Sequence, residues 1–91
     1  MTDRIARMRR KLEQAFAPSA LEIRDDSHRH AGHAGARGGM GHYRVRIRSQ
    51  RFRGTNPLER HRLVYEALGD MMQTDIHALQ IEASDDEGGQ A

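Results

Sequence analysis

Residues 54–81 read GTNPLERHRLVYEALGDMMQTDIHALQI, and the fold turns on how this stretch is parsed. Asn56 is a good N-cap and Pro57 suits a first helical turn. Glu59, three residues on, completes a capping box. On a helix, Leu58, Val64, Tyr65, Leu68, Met71 and Met72 fall on one face, with His61 in its middle. Glu59, Arg62, Glu66 and Asp70 fall opposite. That position predicts a partly buried, hydrogen-bonded His61, with Arg60 and Arg62 on its solvent side. Gln73-Thr74-Asp75 interrupts the pattern, and Ile76–Ile81 reads as a strand. His77 then sits at the start of that strand, on the rim of a sheet.

Upstream, residues 3–17 predict a helix. Ile5, Met8, Leu12, Ala15 and Phe16 form its stripe, and Pro18-Ser19 closes it. Leu21 and Ile23 alternate with Glu22 and Arg24, as in a short strand. Residues 42–49 are a clearer one: Tyr43, Val45 and Ile47 point one way and Arg44, Arg46 and Arg48 the other. Phe52 anchors the core after it. The order is α-β-β-α-β, an α+β fold. The first two strands pair antiparallel, and the second helix is a right-handed crossover to a parallel third strand. Two helices therefore cover one face of a three-stranded mixed sheet, and the arginines lie on the other.

Between the first two strands, residues 28–42 are a histidine- and glycine-rich stretch with almost nothing to bury. It reads as a long mobile loop of the kind that carries function or stays disordered. Residues 1–84 make one domain, and 85–91 an acidic, disordered tail. In 91 residues there are 15 Lys+Arg, 13 Asp+Glu and no cysteine. A formal charge of +2 does not by itself argue for nucleic acid. Without cysteine there is no disulfide, no thiolate nucleophile and no self-contained iron–sulfur site. The first residues contain no apolar run, so the expectation is a cytoplasmic protein with no membrane span. No nucleophile–base pair, phosphate loop or set-apart carboxylate pair points to an enzyme.

The sequence resembles the BolA family from about Ile5 to Glu82. The most specific blocks are Phe52-Arg53-Gly54, Leu58, Arg60-His61-Arg62-Leu63-Val64-Tyr65, and Ile76-His77-Ala78-Leu79. Asp25-Asp26-Ser27 with His30, and His42-Tyr43, also fit. The resemblance implies a class II KH-like fold, in agreement with the order read from patterning. It implies a heterodimer with a monothiol glutaredoxin that shares a 2Fe–2S cluster. The glutaredoxin contributes a cysteine and a bound glutathione thiol, and the partner contributes two nitrogen or sulfur ligands. Carried over, those ligands are His77 and His30. The stretch around His30 lacks the family's usual Val-Pro-x-Gly step and adds His28 and His33, so His33 is the alternative. Histidine in place of thiolate on one iron lowers its negative charge and raises its potential. A His-rich tract of this kind also picks up nickel, copper or zinc adventitiously.

Some family members are described as DNA-binding regulators. Arg44, Arg46 and Arg48, with Arg51 and Arg53 nearby, offer a basic face for phosphates. No Gly-x-x-Gly clamp stands between helices, and no aromatic residues interleave the arginines for base stacking. DNA binding is the second functional expectation, and an ordinary solvated sheet face is the plain alternative.

Overall fold

The computed structural model describes residues 4–27 and 41–85. Along the chain come helix α1 (Arg4–Phe16), strand β1 (Ala20–Asp25), strand β2 (Gly41–Arg48) and a 3-10 turn (Gln50–Phe52). Helix α2 (Pro57–Leu68), the short helix α3 (Met71–Thr74) and strand β3 (Ile76–Ser84) follow. The α+β order expected from patterning is present, with α3 added.

In α1, Met8, Leu12 and Phe16 recur every four residues, and all three are buried. The helix stops because Ala17 adopts a left-handed φ of 43°. Its N–H donates to the Glu13 carbonyl at 3.0 Å, and Pro18 follows, which cannot continue the helix. Strand β2 alternates as expected: Tyr43, Val45 and Ile47 are buried, while Arg46 and Arg48 are exposed. The sheet order is β1-β2-β3. Strand β1 runs antiparallel to β2, with Leu21 opposite Ile47 and Ile23 opposite Val45. Strand β3 runs parallel to β2, with Leu79 opposite Tyr43 and Ile81 opposite Val45. All three helices pack on that apolar face.

The turn after β2 is fixed by one buried hydroxyl. Ser49 Oγ donates to the Phe16 carbonyl at 2.7 Å and accepts from Arg51 N–H at 3.0 Å. This ties the end of α1 to the end of β2. Phe52 is fully buried, its ring centroid 4.9 Å from that of Phe16. The capping box of α2 is formed: Glu59 N–H donates to Asn56 Oδ1 at 2.8 Å, and Asn56 N–H donates to Glu59 Oε1 at 3.0 Å.

Several expectations need correction. The buried face of α2 carries Val64 and Leu68, flanked by half-buried Leu63 and Ala67. Leu58 is 61% exposed and Tyr65 38% exposed. His61 is also exposed, its ring 5.0 Å from that of Tyr65 on the outer side of the helix. Arg60, expected in solvent, is half-buried and reaches across to β3. Its Nε donates to Thr55 Oγ1 at 2.8 Å, and its terminal nitrogens donate to the Ala83 and Phe52 carbonyls at 3.1 and 3.2 Å.

The break after α2 comes at Gly69, with φ of 57°, rather than at Gln73. Met71–Thr74 then makes one more helical turn. Strand β3 continues to Ser84, three residues past Ile81, and β2 begins at Gly41, one residue before the expected His42. Among the described residues, no helix is long and apolar enough to cross a membrane.

Candidate functional site

The ladder between β2 and β3 is regular from His42 onward but slips at its start. Gly41 pairs with Ile76, whereas His42 pairs with Ala78. One residue of β3 is therefore left over, and it is His77. An unpaired residue in a ladder is a bulge, and a bulge re-aims its side chain. Ile76 turns into the core and is 1% exposed, and Leu79 packs against the same core. His77 stands between them with its side chain exposed. Its ring lies 5.0 Å, centroid to centroid, from the ring of half-buried His42, with the planes tilted by 53°.

Strand directions explain why this end of the sheet collects so much. Antiparallel pairing brings the end of β1 beside the start of β2, and parallel pairing brings the start of β3 there too. The backbone is held tightly at this point. Asp26 N–H donates to the His42 carbonyl at 2.8 Å, and Gly41 N–H donates to the Asp75 carbonyl at 3.0 Å. His42 N–H donates to Ser27 Oγ at 3.0 Å, and Ser27 N–H donates to Asp25 Oδ1 at 2.8 Å. His28, His30 and His33 lie outside the described residues. Ser27 and Gly41, the described residues that flank that stretch, are both at this end.

Behind the bulge sits a charge cluster that sequence reading did not single out. Asp75 Oδ2 accepts from Arg4 Nε at 3.0 Å and from an Arg7 terminal nitrogen at 2.8 Å. Asp75 Oδ1 accepts from the Thr74 hydroxyl at 2.6 Å. The Thr74 hydroxyl, then Arg7 and Arg4, hold the Asp75 carboxyl down at about 2, against the opposing effect of burial. Arg4 also donates to the Tyr43 hydroxyl at 3.1 Å. That bond, with Asp75, raises the Arg4 guanidinium further, against the opposing effect of burial. The cluster pins α1 to the residue two before His77.

The arginine face is more nearly neutral than its spacing suggests. Arg46 lies between two glutamates on neighbouring strands, with Nε 2.9 Å from Glu82 Oε1 and a terminal nitrogen 3.7 Å from Glu22 Oε1. Arg44 Nε donates to Gln80 Oε1 at 3.1 Å. Arg24 stands directly opposite Arg44, a like-charge cross-strand pair on the same face as His42. Arg48 is exposed at the far end of β2. There a shallow trough of about 520 Å³ runs beside Glu22, Arg46 and Glu82, at the end of the sheet away from His77.

Of the residues singled out from sequence, His77 is where the pattern placed it. Its neighbour His42 was visible only as the first residue of a strand, because the contact depends on the parallel register and its slip. Among the described residues, no group of three or more His, Cys, Asp or Glu converges as a closed metal cage. At this end of the sheet the His77 side chain is exposed, whereas His42 is half-buried with its Nε2 buried. Imidazole suits zinc, copper, nickel and iron, and the absence of cysteine means that any thiolate ligand comes from another molecule.

Comparison with known proteins gives one consistent family. A sequence model described as BolA-like protein matches residues 12–87. BolA-like protein 1 of Mus musculus is 49% identical over 78 residues, which cover 86% of this chain and 55% of that protein. The chain thus spans about half the length of such curated relatives. The DNA-binding transcriptional regulator BolA of Escherichia coli (strain K12) is 40% identical over 75 residues, 82% of this chain and 69% of that one. The structure of BolA1 from Arabidopsis thaliana superposes with a TM-score of 0.84 at 40% identity, covering 99% of both chains.

Proposed function

The chain belongs to the BolA-like protein family, and on that footing we propose that it is a binding adaptor. It shares a 2Fe–2S cluster with a monothiol glutaredoxin, for cluster trafficking or iron sensing. The observation that carries this reading is His77, displaced from the β2–β3 ladder by the bulge and exposed at the end of the sheet. A cysteine-free chain completes an iron–sulfur centre only when the thiolates come from elsewhere. The glutaredoxin cysteine and glutathione supply them in this reading. His77 supplies one imidazole, and His30, with His33 as its alternative, supplies the second. The like-charge pair Arg24 and Arg44 favours an anionic neighbour such as the glutathione carboxylates. The protein works in the cytoplasm, where thiols stay reduced.

The test is reconstitution of this chain with a monothiol glutaredoxin, glutathione and iron, followed by visible absorption and circular dichroism. The expected product is a coloured heterodimer. His77→Ala weakens or abolishes its histidine-ligated spectrum, and His30→Ala together with His33→Ala does likewise. Because protons compete with iron for imidazole nitrogen, the complex also loosens on acidification. An unchanged cluster spectrum with His77→Ala overturns the ligand assignment.

A second reading, DNA-binding regulator, draws on the name of the Escherichia coli relative and on Arg44, Arg46 and Arg48. The Glu22–Arg46–Glu82 arrangement weighs against it, since Arg46 is already paired. A salt-sensitive gel shift lost with Arg44→Glu and Arg48→Glu would favour this reading. No shift at low salt removes it.

A further inference from the structure

We propose that the free edge of β3 is a self-association surface, on which a second copy of this chain pairs β3 against β3, antiparallel and centred on Ile81. This goes beyond the cluster reading and does not rest on it.

Two observations meet along this edge. The first is the strand itself. Among the described strands β3 pairs only with β2. Ser84 turns its carbonyl toward β2, where it accepts from Ser49 N–H at 3.0 Å. Backbone groups of successive strand residues face opposite edges, so those of Leu79, Ile81 and Ala83 face outward. The Ala83 carbonyl accepts there from Arg60 and keeps a second lone pair. Such an edge is a template for another strand. The other outer strand, β1, is blunted by Glu22, Arg24 and Asp25 within six residues. In the nine residues of β3 there is no proline, and Glu82 is the single carboxylate or basic side chain apart from His77.

The second observation is the apolar stripe beside that edge. The Leu63 and Ala67 flank of α2 meets α1, in a groove also lined by Ala15 and Phe16. Helix α1 lies against β1 and α2 against β3, so the opposite flank of α2 overhangs the free edge. That flank carries Leu58 and Tyr65, the exposed large hydrophobic side chains of the described residues. Leu79 and Ile81 are half-buried beneath it. A strand added to β3 satisfies the edge and covers the stripe together.

Charge names the occupant and the register. A second copy brings the same edge and the same stripe, so each copy covers the other's Leu58 and Tyr65 in an isologous contact. Centred on Glu82, antiparallel pairing sets Glu82 against itself. Centred on Gln80, it joins the cationic row Arg24–Arg44–Gln80 to its own duplicate. Centred on Ile81, it sets Gln80 opposite Glu82 of the second copy. The row Arg24–Arg44–Gln80 then runs into the row Glu82–Arg46–Glu22, so net positive charge meets net negative charge, twice by symmetry. The paired segment in this register is 78–84, which leaves His77 outside it.

The experiment is analytical ultracentrifugation of the full chain from about 50 μM to about 1 mM, with amide hydrogen exchange read by NMR at both ends of the range. The expected result is a reversible monomer–dimer equilibrium in which the Leu79 and Ile81 amides gain protection as concentration rises. Tyr65→Asp, at an exposed position, weakens the dimer at least about tenfold. Gln80→Glu gives Arg44 a carboxylate within its own chain but sets two carboxylates together across the interface, and weakens the dimer roughly two- to thirtyfold. The proposal is overturned if the chain stays monomeric at about 1 mM, or if the Leu79 and Ile81 amides exchange equally fast at both concentrations. It is also overturned if folded Tyr65→Asp or Gln80→Glu dimerises as the native chain does. Protection that appears only with added glutaredoxin gives the edge to that protein and overturns the second-copy assignment. Should Tyr65→Asp not fold, amide protection in the native chain decides. The two readings fail separately. A monomer with an intact His77-dependent cluster spectrum overturns this inference only; a dimer without a cluster complex overturns only the other.

Discussion

Asp75 is buried and charged, and it stands two residues before the histidine that the site depends on. Its carboxylate holds Arg4 and Arg7 of α1, while its carbonyl accepts from Gly41 at the start of β2. Replacing it with asparagine keeps the shape and removes the charge that both guanidiniums face. Asp75→Asn is expected to destabilise the fold by about 1–3 kcal/mol at neutral pH. The pH dependence has a definite sign. The folded carboxyl lies at about 2, below its ordinary 3.8, so the ionised form is favoured by folding. That contribution is complete above the ordinary value and is lost as pH falls toward the folded one. The stability gap between native and Asp75→Asn chains should therefore close between pH 3.8 and about 2, read from urea unfolding across that range. A gap that persists unchanged at the acid end would mean that Asp75 acts through shape alone. Sequence reading treated Asp75 as part of a turn. Its partners lie some seventy residues away on another helix, and local pattern carries no trace of such a pairing.

At the level of elements, the start of β2 is as constrained as the start of β3. A Cβ on Gly41 would lie 2.6 Å from Ser27 Oγ and 2.7 Å from the Tyr43 ring and hydroxyl. Ser27 receives the His42 N–H, and Tyr43 receives Arg4, so neither is free to retreat without loss. Gly41→Ala is expected to cost about 1–3 kcal/mol through overpacking. It should also alter the ring signals of His42 and His77 in the folded protein. Native stability and unaltered rings would show that this corner relaxes freely.

Element type was legible because caps and periods are local. Asn56, Pro57 and Glu59 mark the start of α2, and the alternation in β2 marks its faces. Which flank of α2 meets the sheet was not legible. Leu58 and Tyr65 lie on one side of the Val64–Leu68 line, and Leu63 and Ala67 on the other. Periodicity finds the line, but helix docking chooses the flank. The misplacement of His61 follows from that ambiguity.

For the whole molecule, topology was legible because few arrangements satisfy short connections with one apolar face per element. The bulge was not, since both registers of Ile76–Ala78 keep Leu79 and Ile81 inward. The site is therefore a product of tertiary pairing, and it should last as long as the pairing does. Leu68 tests this from a distance. It is fully buried in the cluster that joins α1, α2 and the apolar face of the sheet. Leu68→Ala should destabilise by about 2–5 kcal/mol. Domains of this size have total stabilities of only about 5–15 kcal/mol, so the loss is a large fraction. Two behaviours are then distinguishable. If the sheet end carrying His42 and His77 is part of one cooperative unit, their ring contact survives in the variant until the global transition and vanishes with it. If that end opens separately, the contact fades at lower urea than the helix signal. The Asp75 cluster ties α1 to the bulge, and Arg60 ties α2 to β3. Both contacts join the helices to the strand that carries His77. The expected result is a single transition, with a lower urea midpoint, an unchanged slope, and coincident curves from circular dichroism and the imidazole resonances.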